Sequence, residues 1–187
     1  MSDQDAETRP TSGPVRLCDP SPEWIAALAR ESEQLSSALG GVLLEIHHIG
    51  STAIPGIRAK PIVDLVPVVV SLHKLDAARE RLEVLGYSWW GEYGLARRRY
   101  CTLQDPVTGQ RSINAHFFEQ GDPEIERHVA FRDYLRAHPE AAREYEAVKI
   151  RSAALHPENV NDYNDGKSAW IRATEPLAIE FSRKRGG

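Results

Sequence analysis

His47-His48-Ile49-Gly50-Ser51-Thr52-Ala53-Ile54-Pro55-Gly56-Ile57-Arg58-Ala59-Lys60-Pro61-Ile62-Val63-Asp64 is the stretch on which the fold turns. The residues leading into it, Val42 to Ile49, are rich in β-branched side chains and read as a strand. Gly50 to Lys60 carries glycine and proline and reads as a loop. Ile62 to Val70 is then an almost continuous apolar run, as a strand covered on both faces requires. Two strands joined by a Gly-Ser turn therefore place Asp64 near the start of the second. Gly50 lets backbone approach a ligand, Ser51 and Thr52 add hydroxyls, and Lys60 or Arg58 adds positive charge, so the turn can hold a phosphate. Asp64 can then bind Mg²⁺ on the same phosphate. The plainer alternative is a connecting turn whose Ser and Thr cap a short helix.

Outward from this core the punctuation is regular. Ser21-Pro22-Glu23 opens a helix carrying Trp24, Ile25, Leu28 and Leu35, which Gly40-Gly41 ends. Leu72 to Leu85 has helical periodicity and stops at Gly86. Arg97 to Gln104 and Gln110 to Phe118 read as strands joined by the hairpin loop Asp105-Pro106-Val107-Thr108-Gly109. Asp122-Pro123-Glu124 starts a helix to His138, and Pro139-Glu140 another toward Leu155. A third covers Asp162 to about Phe181, with Pro176 predicting a kink or break. The order predicts an α+β, or mixed α/β, domain with C-terminal helices packed on the sheet. Residues 1–14 read as a disordered leader, 15–182 as one domain and 183–187 as a basic tail.

Bulk properties narrow the classes. The 187 residues are 41% hydrophobic and 27% charged, a globular balance, with a formal net charge of -4. Without a cationic field, a nucleic acid polymer or an anionic membrane is not expected as the partner. Pro61 to Val70 is too short to span a bilayer, and the polar N-terminus has no signal core. Cys18 and Cys101 form neither a disulfide framework nor a metal-ligand pattern. A cytoplasmic location is expected.

The run HIGSTAIPGIRAKPIVDL resembles the signature of the GrpB-like family, within the nucleotidyltransferase-fold superfamily. FFEQGDPEIERHVAFRDYLRAHPEAAREYEAVK resembles that family's second block, and Tyr163 to Lys167 its C-terminal end; together they cover about residues 15 to 172. The resemblance implies a nucleotidyltransferase-like mixed sheet flanked by helices, with the Gly50-Ser51-Thr52 turn on nucleotide phosphates. Some relatives carry the domain fused to dephospho-CoA kinase, which hints at nucleotide or coenzyme A metabolism. The implied activity is transfer of a nucleotidyl group from a nucleoside triphosphate to an unknown small-molecule acceptor, or activation of that acceptor. The alternative is a non-catalytic nucleotide- or coenzyme-binding module of the same fold, and a weaker third reading is a metal-dependent phosphoester hydrolase.

The superfamily pattern places two acids one residue apart on a strand about a dozen residues past Gly-Ser, and a third acid on a later strand. Twelve residues, Thr52 to Val63, separate Ser51 from Asp64, so the first acid fits; the second position is Val66, which binds no metal. Residues i and i+2 of a strand share a face, so Leu65 is no substitute. The third position falls to His116, with Asn114 on the same face. Asp64, His116 and His48 are thus the candidate metal ligands, for Mg²⁺ or Mn²⁺ with Zn²⁺ as an alternative. His116 alternatively serves as a general base, or is a core histidine bonded to backbone.

Arg132 and Lys167 join Lys60 as candidate phosphate ligands, Arg127 being a further one; the alternative for Arg132 is an ion pair between helices. Tyr145, Lys149 and Tyr163 are candidates to line the cleft from the helical side. Arg97-Arg98-Arg99, read as strand, alternates faces and either guards an edge or meets an acidic substrate, with Trp89 and Trp90 beside the entrance.

Overall fold

The β-branched runs pair into one mixed sheet, seen in a computed structural model that describes residues 14–186. The leader expected over residues 1–14 falls outside the described residues except for Pro14. Five strands form the sheet: β1 (Leu43–Ile49), β2 (Val63–Val69), β3 (Ser88–Trp89), β4 (Arg99–Gln104) and β5 (Arg111–Glu119), in the order β1-β2-β5-β4-β3. β2 runs parallel to β5 at the centre, and the remaining pairs are antiparallel. The crossover between the two parallel strands carries two short helices and the β3–β4 strands. β3 was not expected; two residues are too few to show an alternating pattern.

Period-2 alternation sends each strand's side chains to two different cores. Val63, Leu65 and Val69 of β2 and Ile113, Ala115 and Phe117 of β5 face α1 (Glu23–Leu39), burying Trp24, Leu35 and Leu39. The next residues over, Val66, Val68 and Phe118, face the other way with Ile49, and Ile125 packs on them. Ile125 belongs to α4 (Pro123–Ala137), whose N-cap Asp122 accepts from the Glu124 amide as the sequence predicts. α5 (Pro139–Leu155) and α6 (Val160–Gly186) pack with α4 as a C-terminal layer. A third cluster, Ile54, Ile57, Leu135, Ala142 and Tyr145, joins that layer to the loop after β1.

Three expected elements differ. The helix expected over Leu72 to Leu85 is two, α2 (Leu72–Ala77) and α3 (Arg79–Val84), because Ala78 leaves helical geometry at φ -100°, ψ 7°. Leu75 and Leu82 still bury into one core, which is why the periodicity runs through the break. Pro176 does not break α6, which continues through the basic residues 183–185. Its lost amide removes one bond from a helix that packs along α4 and α5, and Arg127 of α4 grips Glu175 beside it. Arg97 and Arg98 precede β4, and Arg97 has φ +62°, so the three arginines do not alternate on a strand. Each has its own acceptor: Arg97 binds Asp122, Arg98 the Glu92 and Tyr93 carbonyls, and Arg99 Asp76.

Candidate functional site

β1 ends at Ile49, which pairs directly with Asp64 of β2. Chain reversal starts at Gly50 (φ 68°, ψ -170°), a conformation that costs any residue with a side chain. The second reason for glycine is contact: a β-carbon there would lie 2.5 Å from Asp64 Oδ2. Ser51–Ala53 then form one 3₁₀ turn, whose Ala53 amide bonds the Gly50 carbonyl and whose following Ile54 amide bonds that of Ser51. The turn therefore rests against the carboxylate, with no side chain between them.

The C-terminal helices hold this loop by its carbonyls. Arg132 donates to the His48 carbonyl at 3.0 Å and Arg136 to the Ala53 carbonyl at 2.8 Å. Lys149, fully buried on α5, donates to the Arg58 carbonyl, while the Arg58 amide donates to Glu146 at 2.7 Å. Cys18 and Ala59 exchange both backbone bonds one step further on. Three helix cations thus fix the backbone at residues 48, 53 and 58, and Lys60 emerges from a braced segment. Burial, reinforced by Lys167, pulls the Lys149 amine down to about 7.

Asp64 sits between strand neighbours of like facing. Asn114, paired with it across β2–β5, donates to Oδ1 at 2.8 Å and accepts from the Tyr100 hydroxyl at 2.8 Å. His116 Nε2 stands 3.9 Å from Oδ1, too far for a hydrogen bond, so its influence is electrostatic. Burial opposes ionisation of Asp64, but His116, the Asn114 donor and Lys167 outweigh it and hold the carboxyl below its ordinary value. On its other side, His116 Nδ1 is 3.4 Å from an Arg98 nitrogen. Arginine only donates, so Nδ1 is the acceptor and a neutral His116 carries its proton on Nε2, toward Asp64.

These groups open into a cavity of about 260 Å³. Ser51, Thr52, Lys60, Asp64, Asn114 and His116 line its sheet side, and Val160, Tyr163, Asn164 and Lys167 of α6 close it. Tyr100 and Arg111 complete the wall. Lys60 and Lys167 stand 5.4 and 4.8 Å from the centre of the Tyr163 ring. Burial and then the Lys167 charge draw the Lys60 amine down to about 8, and burial lowers Lys167 as well. The cavity wall holds Lys60, Lys167 and Arg111 against the single carboxylate of Asp64. Among the described lining residues, basic side chains therefore outnumber acidic ones.

Eight expected site residues meet here: Gly50, Ser51, Thr52, Lys60, Asp64, His116, Tyr163 and Lys167. Five others do not. His48 pairs with Leu65 rather than Asp64, one residue out of phase, and its Nε2 lies 2.9 Å from Thr52 Oγ1. Arg132 is spent on the His48 carbonyl and on Asp133, so it braces the turn from behind. Arg127 likewise binds Glu124 and Glu175. Tyr145 and Lys149 do not line the cavity; both are buried behind the loop, where Tyr145 bonds the Ser51 side chain. Trp90 bonds Thr102 from its indole at 2.9 Å.

Sequence reasoning missed Tyr100, Arg111 and Asn164. Tyr100 is legible once β4 is registered on β5, since it pairs with His116. Asn164 completes a helical face with Val160, Tyr163 and Lys167 at spacings of three and four. Arg111 sits beyond a register slip between Leu103 and Gln104, where strict alternation no longer tells which face a residue takes.

The donor set limits what cation fits. Among the described residues no group of three His, Cys, Asp or Glu side chains could hold a metal ion, so the Asp64, His116 and His48 set does not assemble. Val66, at the second acidic position, is fully buried in the apolar cluster with Phe118. What remains suits a hard cation that brings its own phosphate and water oxygens and takes one carboxylate from the protein. It does not suit Zn²⁺ or a pair of ions held by protein alone.

Residues 14–176 match the family model described as GrpB protein, and the chain belongs to the GrpB family. The UPF0157 protein YqkA of Bacillus subtilis is 41% identical over 163 residues, covering 87% of this chain; the chain spans about half, 47%, of that relative's length. The crystal structure of the conserved protein GrpB from Enterococcus faecalis superposes with a TM-score of 0.83 at 33% identity, over 89% of this chain and 99% of that one. A Cid1 poly(U) polymerase solved with MgGTP bound has a TM-score of 0.51 at 16% identity, over 73% of this chain and 44% of that one. That last likeness is one of fold: the mixed sheet and its helices are nucleotidyltransferase-like. Among the described residues no helix is long and apolar enough to cross a membrane.

Proposed function

We propose that this GrpB-family chain binds a nucleoside triphosphate in the pocket between the Gly50-Ser51-Thr52 turn and α6, and transfers its nucleotidyl group to a small-molecule acceptor. One observation carries the reading: the turn closes on Asp64 with only Gly50 between them, and three cationic side chains surround the space beyond. Lys60 and Lys167 would take the phosphates, with Ser51 and Thr52 on the turn side. A divalent cation, Mg²⁺ or Mn²⁺, would arrive on the triphosphate with Asp64 as its carboxylate from the protein, and would neutralise phosphate charge there. Asp64 and the Nε2 proton of His116 then orient the reacting end of the ligand. His116 facing Asp64 across the parallel strand pair favours the catalytic reading.

A specific observation favours the second reading, a nucleotide- or coenzyme-binding module without turnover. Val66 is 0% exposed, so the second metal acid is replaced by core packing rather than by another polar group. The two readings part in one experiment. Purified protein is incubated with each of the four ribonucleoside triphosphates plus Mg²⁺ or Mn²⁺ and a metabolite extract, and products are read by mass. Pyrophosphate release that Asp64→Ala abolishes is the expected result. Binding without release, the same in Asp64→Ala, would leave the module reading in its place.

A further inference from the structure

The pocket walls are committed in a way that decides which part of a ligand is recognised. A nucleobase is read by stacking on an open aromatic face and by side-chain amides that meet its edge. Tyr100 is the first ring available, and it is already stacked by Tyr93 at 5.2 Å and by His116 at 5.0 Å, with Arg98 5.1 Å from its centre. Tyr163 is 1% exposed and carries both lysine ammonium groups over its ring. The amide of Asn114 has its oxygen on the Tyr100 hydroxyl and its nitrogen on Asp64. Thr52 Oγ1 is engaged by His48. Asn164 sits exposed at the rim, where water competes for any bond to a base.

Size agrees with this. About 260 Å³ is below the range of roughly 300–1,000 Å³ that encloses a drug-sized ligand, which favours enclosure of the phosphate end of a nucleotide over the whole molecule. Lys60 and Lys167 face the cavity as point charges, which attract anionic oxygens without the planar fork that reads a base edge.

Resting on the nucleotide reading above, we infer that the pocket recognises the condensed phosphate chain itself and leaves the base unread, so that it takes purine and pyrimidine triphosphates alike. Inorganic tripolyphosphate then competes for the same site, and free nucleosides do not bind. The GrpB pocket is in this sense a phosphate reader.

Calorimetric titration of the intact protein with ATP, GTP, CTP, UTP and tripolyphosphate tests it. The expected result is four nucleotide dissociation constants within about threefold of one another, and tripolyphosphate displacing each of them. Lys60→Met and Lys167→Met should weaken all five ligands in parallel, by about tenfold or more, while thermal unfolding confirms that each variant folds. One nucleotide preferred by tenfold or more, or nucleotides that bind and resist tripolyphosphate, overturns the inference and leaves the nucleotide reading standing. Failure of all five ligands to bind the unmodified protein ends both.

Discussion

Gly50 and Asp64 share one van der Waals gap: a methyl group on the glycine would sit 2.5 Å from the carboxylate oxygen. The backbone at Gly50 also lies at φ 68°, ψ -170°, which only glycine adopts without strain. Turn and acid are therefore held as one unit, and neither can be altered without moving the other.

Gly50→Ala is expected to cost about 1–3 kcal/mol of folding stability from the backbone alone. It should also displace Asp64 or open the turn, and reduce triphosphate affinity by at least about tenfold. Thermal unfolding and titration calorimetry read the two effects separately. A variant that binds as tightly as the parent would show that the turn is not part of the ligand site.

Binding should weaken in alkaline solution, and Lys60 supplies the reason. Its amine is drawn down to about 8, chiefly by burial and then by Lys167. An anionic ligand binds the protonated form, so affinity is full below that value and falls above it. Linkage limits the fall from this group to about tenfold per pH unit. Lys60→Arg keeps its charge throughout and should flatten that part of the profile. Titrations between about pH 7.5 and 9.5 decide; an unchanged slope in Lys60→Arg would remove Lys60 from the phosphate contacts.

How much of this was readable beforehand depends on distance along the chain. The Gly50-to-Asp64 unit is local, its strands carry strong β-branched runs, and its spacing is written in consecutive residues. His116 joined it because strand alternation places Asn114 and His116 together. Arg132 was misjudged for the opposite reason: a cation on a helix declares its charge in sequence but not its acceptor, and here the acceptor is the carbonyl of His48, 84 residues away. The same holds for Lys149, buried against the Arg58 carbonyl. His48 misled through phase, since one residue's offset along β1 moves it from partner of Asp64 to partner of Leu65. Arg111 was hidden by the register slip next to it.

Acid should destabilise the fold through two histidines, His48, which is buried, and His128, which is half-buried. Burial lowers His48 to about 4, the nearby Arg136 and Arg132 adding to it against Asp64, and burial with Arg127 lowers His128 to about 3. Both are neutral in the folded protein and titrate near 6.5 when unfolded. Their contribution is complete above that value and is lost as the pH falls toward the folded values, at up to about 1.4 kcal/mol per pH unit for each. His128 stacks on His116 and Phe118, so His128→Phe keeps the packing and removes one titrating group. Its urea midpoint should depend less steeply on pH between about 6 and 4 than the parent's, and equal slopes would refute the assignment.

Val66→Asp is the substitution that would restore the missing acid of a two-metal centre, and the packing says it will fail. Val66 and Asp64 share a strand face, so the new carboxylate would point the right way. It would also be buried among Ile49, Val68 and Phe118, on a residue that is 0% exposed, with His47 beside it on β1 as a cross-strand polar neighbour. An uncompensated buried charge costs about 3–5 kcal/mol. In a domain of this size that is roughly a 10 °C fall in midpoint temperature. The expected variant is therefore less stable and releases pyrophosphate with Mn²⁺ no faster than the parent. A variant that stays folded and releases it faster than the parent would mean that the cavity is a two-metal site one residue short, and that the hydrocarbon around Val66 yields more readily than its packing indicates.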